Sequence, residues 1–110
     1  MTGLQPGNLK DILQIRAQIQ AGQFEFSRHA FHRVVERNIS ETEIRSLGAN
    51  AQVIEEYPED KYSPSALLLG FTPNGRPLHF QVSLTDMELV KIITIYEPDL
   101  GKWADYKKRI

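Results

Sequence analysis

Two stretches decide the fold: Leu78-His79-Phe80-Gln81-Val82-Ser83-Leu84, and Leu89-Val90-Lys91-Ile92-Ile93-Thr94-Ile95-Tyr96-Glu97. Apolar and polar residues alternate strictly through the first and through much of the second, the period of two that marks a strand with one buried face. A turn centred on Asp86-Met87 would join them as a hairpin, pairing Thr85 with Glu88, Leu84 with Leu89, Phe80 with Ile93, Leu78 with Ile95 and His79 with Thr94. Leu78, Phe80, Ile93 and Ile95 then form an apolar face towards the rest of the protein. His79, Gln81, Thr94 and Tyr96 share the opposite, exposed face, with Tyr96 diagonal to His79. A slip of one residue would turn His79 into the core, so the alternation favours this register.

Upstream, Val53 to Tyr57 reads as a strand stopped by Pro58, with a turn at Pro58-Glu59-Asp60. Ser65 to Phe71 contains Leu67-Leu68-Leu69, apolar on both faces, and is expected to be a central strand; Pro73-Asn74-Gly75 is a turn. The first half is helical. Asn8 is the expected cap of a helix carrying Leu9, Ile12, Leu13, Arg16 and Ala17 and ending at Gly22. Phe24-Glu25-Phe26 is an extended link. Ser27 caps a second helix to about Arg37, with Ala30, Phe31, Val34 and Val35 as its buried stripe and Asn38 as a left-handed stop. Ser40-Glu41-Thr42-Glu43 is a capping box with Ile39 and Ile44 as its hydrophobic staple, and Gly48 and Asn50 close that helix.

The order α-α-α-β-β-β-β predicts an α+β domain with N-terminal helices packed on one face of a four-stranded antiparallel sheet. Residues 1–7 are expected to be a loose lead-in, 8–50 the helical half, 51–97 the sheet half and 98–110 a tail. In that tail Trp103, Tyr106 and Lys107-Lys108-Arg109 suggest a short helix laid on the sheet edge. The 110 residues suit one domain, and 41% apolar with 25% charged residues is an ordinary globular balance. Lys plus Arg number 13 against 14 Asp plus Glu, a net charge of −1, so any phosphate-binding surface must be local. The absence of cysteine excludes disulfides and thiolate chemistry. Residues Met1 to Gly7 lack the basic start and apolar run of a signal peptide, and no stretch approaches the roughly 20 apolar residues of a spanning helix. A soluble cytoplasmic protein without a membrane partner is the expectation.

Candidate chemistry falls in two places. On the sheet face, His79 is suited to proton transfer near neutrality, with Tyr96, Thr94 and Gln81 beside it; the competing reading is a sheet surface that simply needs polar residues. On the second helix His29, Arg33 and Arg37 recur every four residues and share a face that can hold a phosphate. The competing reading there is a solvated basic face paired with Glu36 and Glu41. His29, His32 and Glu36 lack the paired four-residue histidine spacing of a metalloprotease helix, so no metal and no cofactor are expected. Glu55, Glu56, Glu59 and Asp60 read as a solvated acidic edge.

Ser27-Arg28-His29-Ala30 with Arg33, Glu36-Arg37 and Ile39-Ser40 resembles the opening signature of a bacterial domain-of-unknown-function family. Val53-Ile54-Glu55, Tyr57-Pro58, Leu67 to Gly70, Gly75-Arg76-Pro77-Leu78-His79, Ile93-Thr94-Ile95-Tyr96 with Pro98, and Trp103 continue the likeness from about Phe24 onwards. That family, some of whose members are encoded beside zinc-finger antitoxins, is similar to the RelE-like and barnase-like ribonucleases. The resemblance implies a metal-independent endoribonuclease toxin, with RNA as substrate and an antitoxin-like zinc-finger protein as partner. It points to His29, Arg33, Arg37, His79, Thr94 and Tyr96 as site residues, and Gln81 stands on spacing alone. His79 would take the proton of a ribose 2′-hydroxyl, Tyr96 or His29 would serve the leaving oxygen, and Arg33 and Arg37 would hold the phosphate. The alternative is a non-catalytic interaction module of the same fold, binding a partner chain or a second copy as a homodimer.

Overall fold

Asp11 caps the first helix, α1 (Ile12–Gln20): its carboxylate accepts from the Gln14 amide at 2.9 Å and the Gln14 side chain returns the bond. The computed structural model describes residues 9–110, so the expected lead-in at 1–7 and the expected cap at Asn8 lie outside it. Leu9 is not helical; it bridges Thr85. Gly22, at φ +78°, turns the chain out of α1 as expected. Ser27 caps α2 (Arg28–Glu36), and Asn38 follows it at φ 54°. Ser40 and Glu43 form the predicted capping box of α3 (Glu41–Leu47), with Ile39 and Ile44 both buried.

Phe24–Phe26 is a strand, β1, rather than a link. It is followed by β2 (Gln52–Tyr57), β3 (Ser65–Phe71), β4 (Pro77–Ser83) and β5 (Val90–Tyr96). The main sheet is therefore five-stranded and mixed, in the order β1-β5-β4-β3-β2, with β1 parallel to β5 and the other pairs antiparallel. The fifth strand escapes the sequence reading because three residues carry too little alternation. Phe24 and Phe26 declare it only by packing against the core when paired with Val90 to Ile92.

Helices α1 and α3 cover one face, where Ile15, Ile19, Ile44 and Leu47 meet Leu68, Leu78, Phe80, Val82, Ile92 and Ile95. Helix α2 buries only Ala30 fully, where α1 and α3 each bury two residues. It is hung from β5 at its start, where Ser27 donates to the Ile92 carbonyl through its amide and to the Ile93 carbonyl through its hydroxyl. Of its expected stripe Ala30 is buried and Val34 partly so, but Phe31 and Val35 are 54% and 64% exposed.

The β4–β5 register also differs from the expectation. His79 faces Tyr96, Phe80 faces Ile95 and Gln81 faces Thr94, and a bulge then sets Val82 against Ile92. The displacement from the expected pairing is two residues, which keeps His79, Gln81, Thr94 and Tyr96 on one face. The bulge corrects one residue: Ile92 takes the core position expected of Ile93.

The tail is a second small sheet, not a helix. β6 (Trp103–Ala104) pairs with β7 (Lys108–Arg109) around a tight turn whose central residues, Asp105 and Tyr106, lie at φ 53° and 62°. Two consecutive left-handed residues make a hairpin turn that no propensity of Tyr foretells. The hairpin lies over the face opposite α1 and α3, burying Trp103 against the His79 ring, so the sheet is covered on both sides there. That explains why Leu67 and Leu69 are as buried as Leu68.

Candidate active site

Strand β5 and helix α2 diverge past Ile92 and leave a cleft of about 430 Å³ between them, closed on its third side by the tail. Thr94 and Tyr96 form its floor, Arg33 and Arg37 project from α2, and Lys102 and Arg109 come from the tail. Four of the seven residues expected at a site thus line one cavity. The acids at its rim are already engaged: Glu97 accepts from Arg76 Nη2 at 2.7 Å, and Asp99 accepts from the Gly101 amide at 2.8 Å. Arg37 and Lys102 form no ion pair among the described residues, and Arg33 has only a 3.7 Å approach to Glu36 on the exposed helix surface. A chain of net charge −1 therefore gathers Arg33, Arg37, Lys102 and Arg109 around two carboxylates, with Arg109 itself paired to Glu55.

His79 is not on an exposed face. It is fully buried beneath the tail, and it meets the cleft through Trp103, packed on its ring, and through Tyr96, whose hydroxyl lies 3.2 Å from Nδ1. Its Nε2 is 2.6 Å from the carbonyl oxygen of Tyr106. A carbonyl only accepts, so Nε2 carries the proton and the neutral ring presents a lone pair at Nδ1 to the Tyr96 hydroxyl. The result is a phenol, an imidazole that can take its proton, and a third group that fixes the tautomer. Burial pushes the His79 imidazole below its ordinary value, against the Tyr106 carbonyl and Glu55, which raise it. Burial likewise raises the Tyr96 phenol. At neutral pH the pair rests uncharged.

A pH dependence of stability follows. The unfolded chain protonates His79 near pH 6.5 while the folded chain resists, so its contribution is fully present above about pH 6.5 and is lost as pH falls towards the depressed folded value. Thermal midpoints of the native chain and of His79→Gln, compared at pH 7.5 and 5.5, are expected to converge as the native chain loses more stability on acidification. Parallel losses would show that His79 is not neutral in the folded state.

The remaining predicted residues lie elsewhere. His29 is exposed on α2, one turn before Arg33, and does not line the cleft. Gln81 donates to Asp60 at 3.3 Å and to Ser65 at 3.0 Å, so it fastens the β2–β3 loop rather than facing the cleft. His32 is exposed, and no group of three His, Cys, Asp or Glu gathers among the described residues. The acidic run is not simply solvated: Glu55 accepts from Arg109 Nε at 2.9 Å and from the Tyr57 hydroxyl, which ties β7 to β2, and Asp60 takes Ser65 and Gln81.

The cleft also depends on residues that were not expected at a site. Arg109 was visible only as a member of a basic tail and Lys102 was not singled out, and the position of both needed the hairpin turn. Arg76 ties the end of α2 to the sheet by donating to the Arg37 carbonyl at 2.8 Å while pairing with Glu97 and Glu43. The signal available for it was its place directly after the left-handed Gly75.

Neither the curated proteins nor the solved structures contain a match to this chain. A family model does match, over residues 26–97, a span that includes Arg33, Arg37, His79, Thr94 and Tyr96 and stops before the tail hairpin. That span is more than half of the chain, which therefore belongs to the family described as a domain of unknown function (DUF4258).

Proposed function

We propose that this chain cleaves single-stranded RNA by acid–base chemistry of its own side chains, as the toxin member of a pair whose antitoxin is a zinc-finger protein. The reading rests above all on one observation: Tyr96, whose hydroxyl meets the oriented imidazole of His79, lines a cleft together with Arg33, Arg37, Lys102 and Arg109. The similarity of the resembled domain-of-unknown-function family to RelE-like and barnase-like ribonucleases points the same way.

In this mechanism the phosphodiester binds against Arg33 and Arg37, whose forked donors suit its non-bridging oxygens. The 2′-oxygen attacks phosphorus. Its proton passes to the Tyr96 oxygen as the Tyr96 proton passes to His79 Nδ1, which leaves an imidazolium whose Nε2–H still donates to the Tyr106 carbonyl. The bond from phosphorus to the 5′-oxygen breaks, and that oxygen takes a proton from Lys102 or solvent. The products are a 2′,3′-cyclic phosphate and a 5′-hydroxyl. The imidazole acts through the phenol rather than touching the ribose, and the guanidinium groups stabilise the charge that builds on phosphorus.

Purified chain incubated with a labelled single-stranded oligoribonucleotide in EDTA is expected to yield cyclic-phosphate ends. An Arg33→Ala, Arg37→Ala double variant is expected to lose most of that cleavage and much of its binding. Intact RNA with the native chain over a range of ribosome-free and ribosome-containing reactions would remove the proposal.

The second reading, a non-catalytic interaction module, is favoured by the exposed Phe31 and Val35, which follow each other by one turn on the outer side of α2. Under that reading a co-expressed partner co-purifies stoichiometrically, Phe31→Ser releases it, and the freed chain leaves RNA intact.

A further inference from the structure

Beside the cationic cleft, on the same face of the sheet, lies a second cavity of about 510 Å³ between the β2–β3 loop and the β4–β5 connection. We propose that it holds a nucleobase of the strand whose phosphate occupies the cleft; this rests on the RNA reading above and adds a base subsite to it. Three observations converge on an occupant of that kind.

The first is continuity. Lys91 and Ile93 of β5 line the second cavity, and Thr94 and Tyr96 line the cleft. The bulge that opposes two residues of β5 to Gln81 is what brings Ile93 round to this face next to Thr94. At roughly 3.3 Å per residue, Ile93 and Tyr96 stand about 10 Å apart along one strand, a distance that one extended polynucleotide bridges.

The second is chemistry. Met87 and Ile93 give the cavity apolar walls, and Tyr62 stands at its side with 87% of its surface exposed, beside the Lys61 ammonium at 5.4 Å from the ring centroid. An aromatic ring left that open, over a mostly apolar cavity with hydroxyls at its edge, suits a flat ring with polar edges. Single-stranded nucleic acids are held by such stacking platforms next to a cationic track, and Lys91, which forms no ion pair among the described residues, continues the track from the cleft.

The third is preorganisation. The loop that carries Tyr62 is fastened to the sheet: the Asp60 carboxylate accepts from Ser65 Oγ at 2.7 Å and from Gln81 Nε2 at 3.3 Å, and the hydroxyls of Ser63 and Ser83 meet at 2.9 Å. Gln81 and Asp60, which have no place in the cleft, thereby hold the wall of the neighbouring cavity in position. A platform fixed before binding loses less freedom when the base arrives.

The test is fluorescence-anisotropy titration of the full chain with a labelled single-stranded hexaribonucleotide at two salt concentrations, with an abasic hexamer as second probe. A cleavage-blocking 2′-O-methyl backbone keeps both probes intact. Tyr62→Ala is expected to weaken hexamer binding roughly 5- to 100-fold and to have little effect on the abasic probe. Lys91→Ala is expected to weaken both and to reduce the salt slope by about one. Both residues are exposed, so the variants fold; circular dichroism checks it. If the native chain binds the hexamer and Tyr62→Ala binds it equally well, the base subsite is wrong and the RNA reading survives. If the native chain binds neither probe, both ideas fall together.

Discussion

Tyr96→Phe is expected to lower RNA cleavage by about 10²- to 10⁴-fold while leaving RNA affinity within a few-fold of the native value. The substitution keeps the ring that packs edge-on against His79, with centroids 5.3 Å apart, and removes only the hydroxyl that joins His79 to the cleft. The cost to folding is about 1–3 kcal/mol, since a buried imidazole nitrogen loses its partner. Single-turnover cleavage separates the two effects, because binding and chemistry are then read independently. The acid limb of the native rate profile should fall below about pH 6.5, because burial holds His79 neutral to lower pH than an exposed imidazole. Native-like cleavage by the Phe variant would dismiss Tyr96 as the proton-handling group, whatever became of the arginines.

Gly48→Ala should destabilise the fold by about 3 kcal/mol or more, a fall in thermal midpoint of roughly 15 °C for a domain this small. The reason is space, not backbone freedom. Gly48 has an ordinary φ of −60°, but a β-carbon there would lie 2.6 Å from the Arg16 carbonyl oxygen and 2.9 Å from the Gln20 amide nitrogen. Both are backbone atoms of α1, which cannot swing aside as a side chain does. The same crossing is fixed by Arg16, which donates to the carbonyls of Gly48 and Ala49 at 3.0 and 2.6 Å. Gly75→Ala is the control, since φ is +83° there with open space around it, so the expected loss is only about 1 kcal/mol. Chemical denaturation of the two variants side by side checks the contrast; equal midpoints would mean that α1 and α3 separate more easily than their contact implies.

Gly48 shows how far local sequence carries. As a residue after a helix it reads as a terminator, and α3 does end there, yet the requirement for glycine comes from α1, some thirty residues earlier in the chain. Asn50 is similar. It also reads as a helix stop, but its side chain spans the backbone of Phe71, accepting from the amide at 2.7 Å and donating to the carbonyl at 2.9 Å.

The candidate site divides along the same line. Arg33 and Arg37 share a face because a helix repeats every 3.6 residues, and His79 shares one with Tyr96 because a strand repeats every two. A pairing error of two residues could not separate them. Such regularities are local, carried by capping boxes, alternation and turn residues. They set the three helices, the four longer strands and the face on which each polar group stands.

Burial, partners and the third wall of the cleft are not local. Whether His79 meets water or a tryptophan depends on a hairpin twenty-odd residues downstream, turned by Asp105 and Tyr106 in a left-handed conformation that tyrosine disfavours and held down by Arg109 on Glu55. β1 exists only because β5 offers it an edge, and Ile93 faces outward only because a bulge shifts the phase. Amino-acid order alone determined the three helices, the four longer strands and the faces of their polar groups, since those follow from hydrogen bonds and sterics within a few residues. Tertiary structure decided which faces close over one another, because the free energy of covering a surface resides in contacts between segments far apart in the chain.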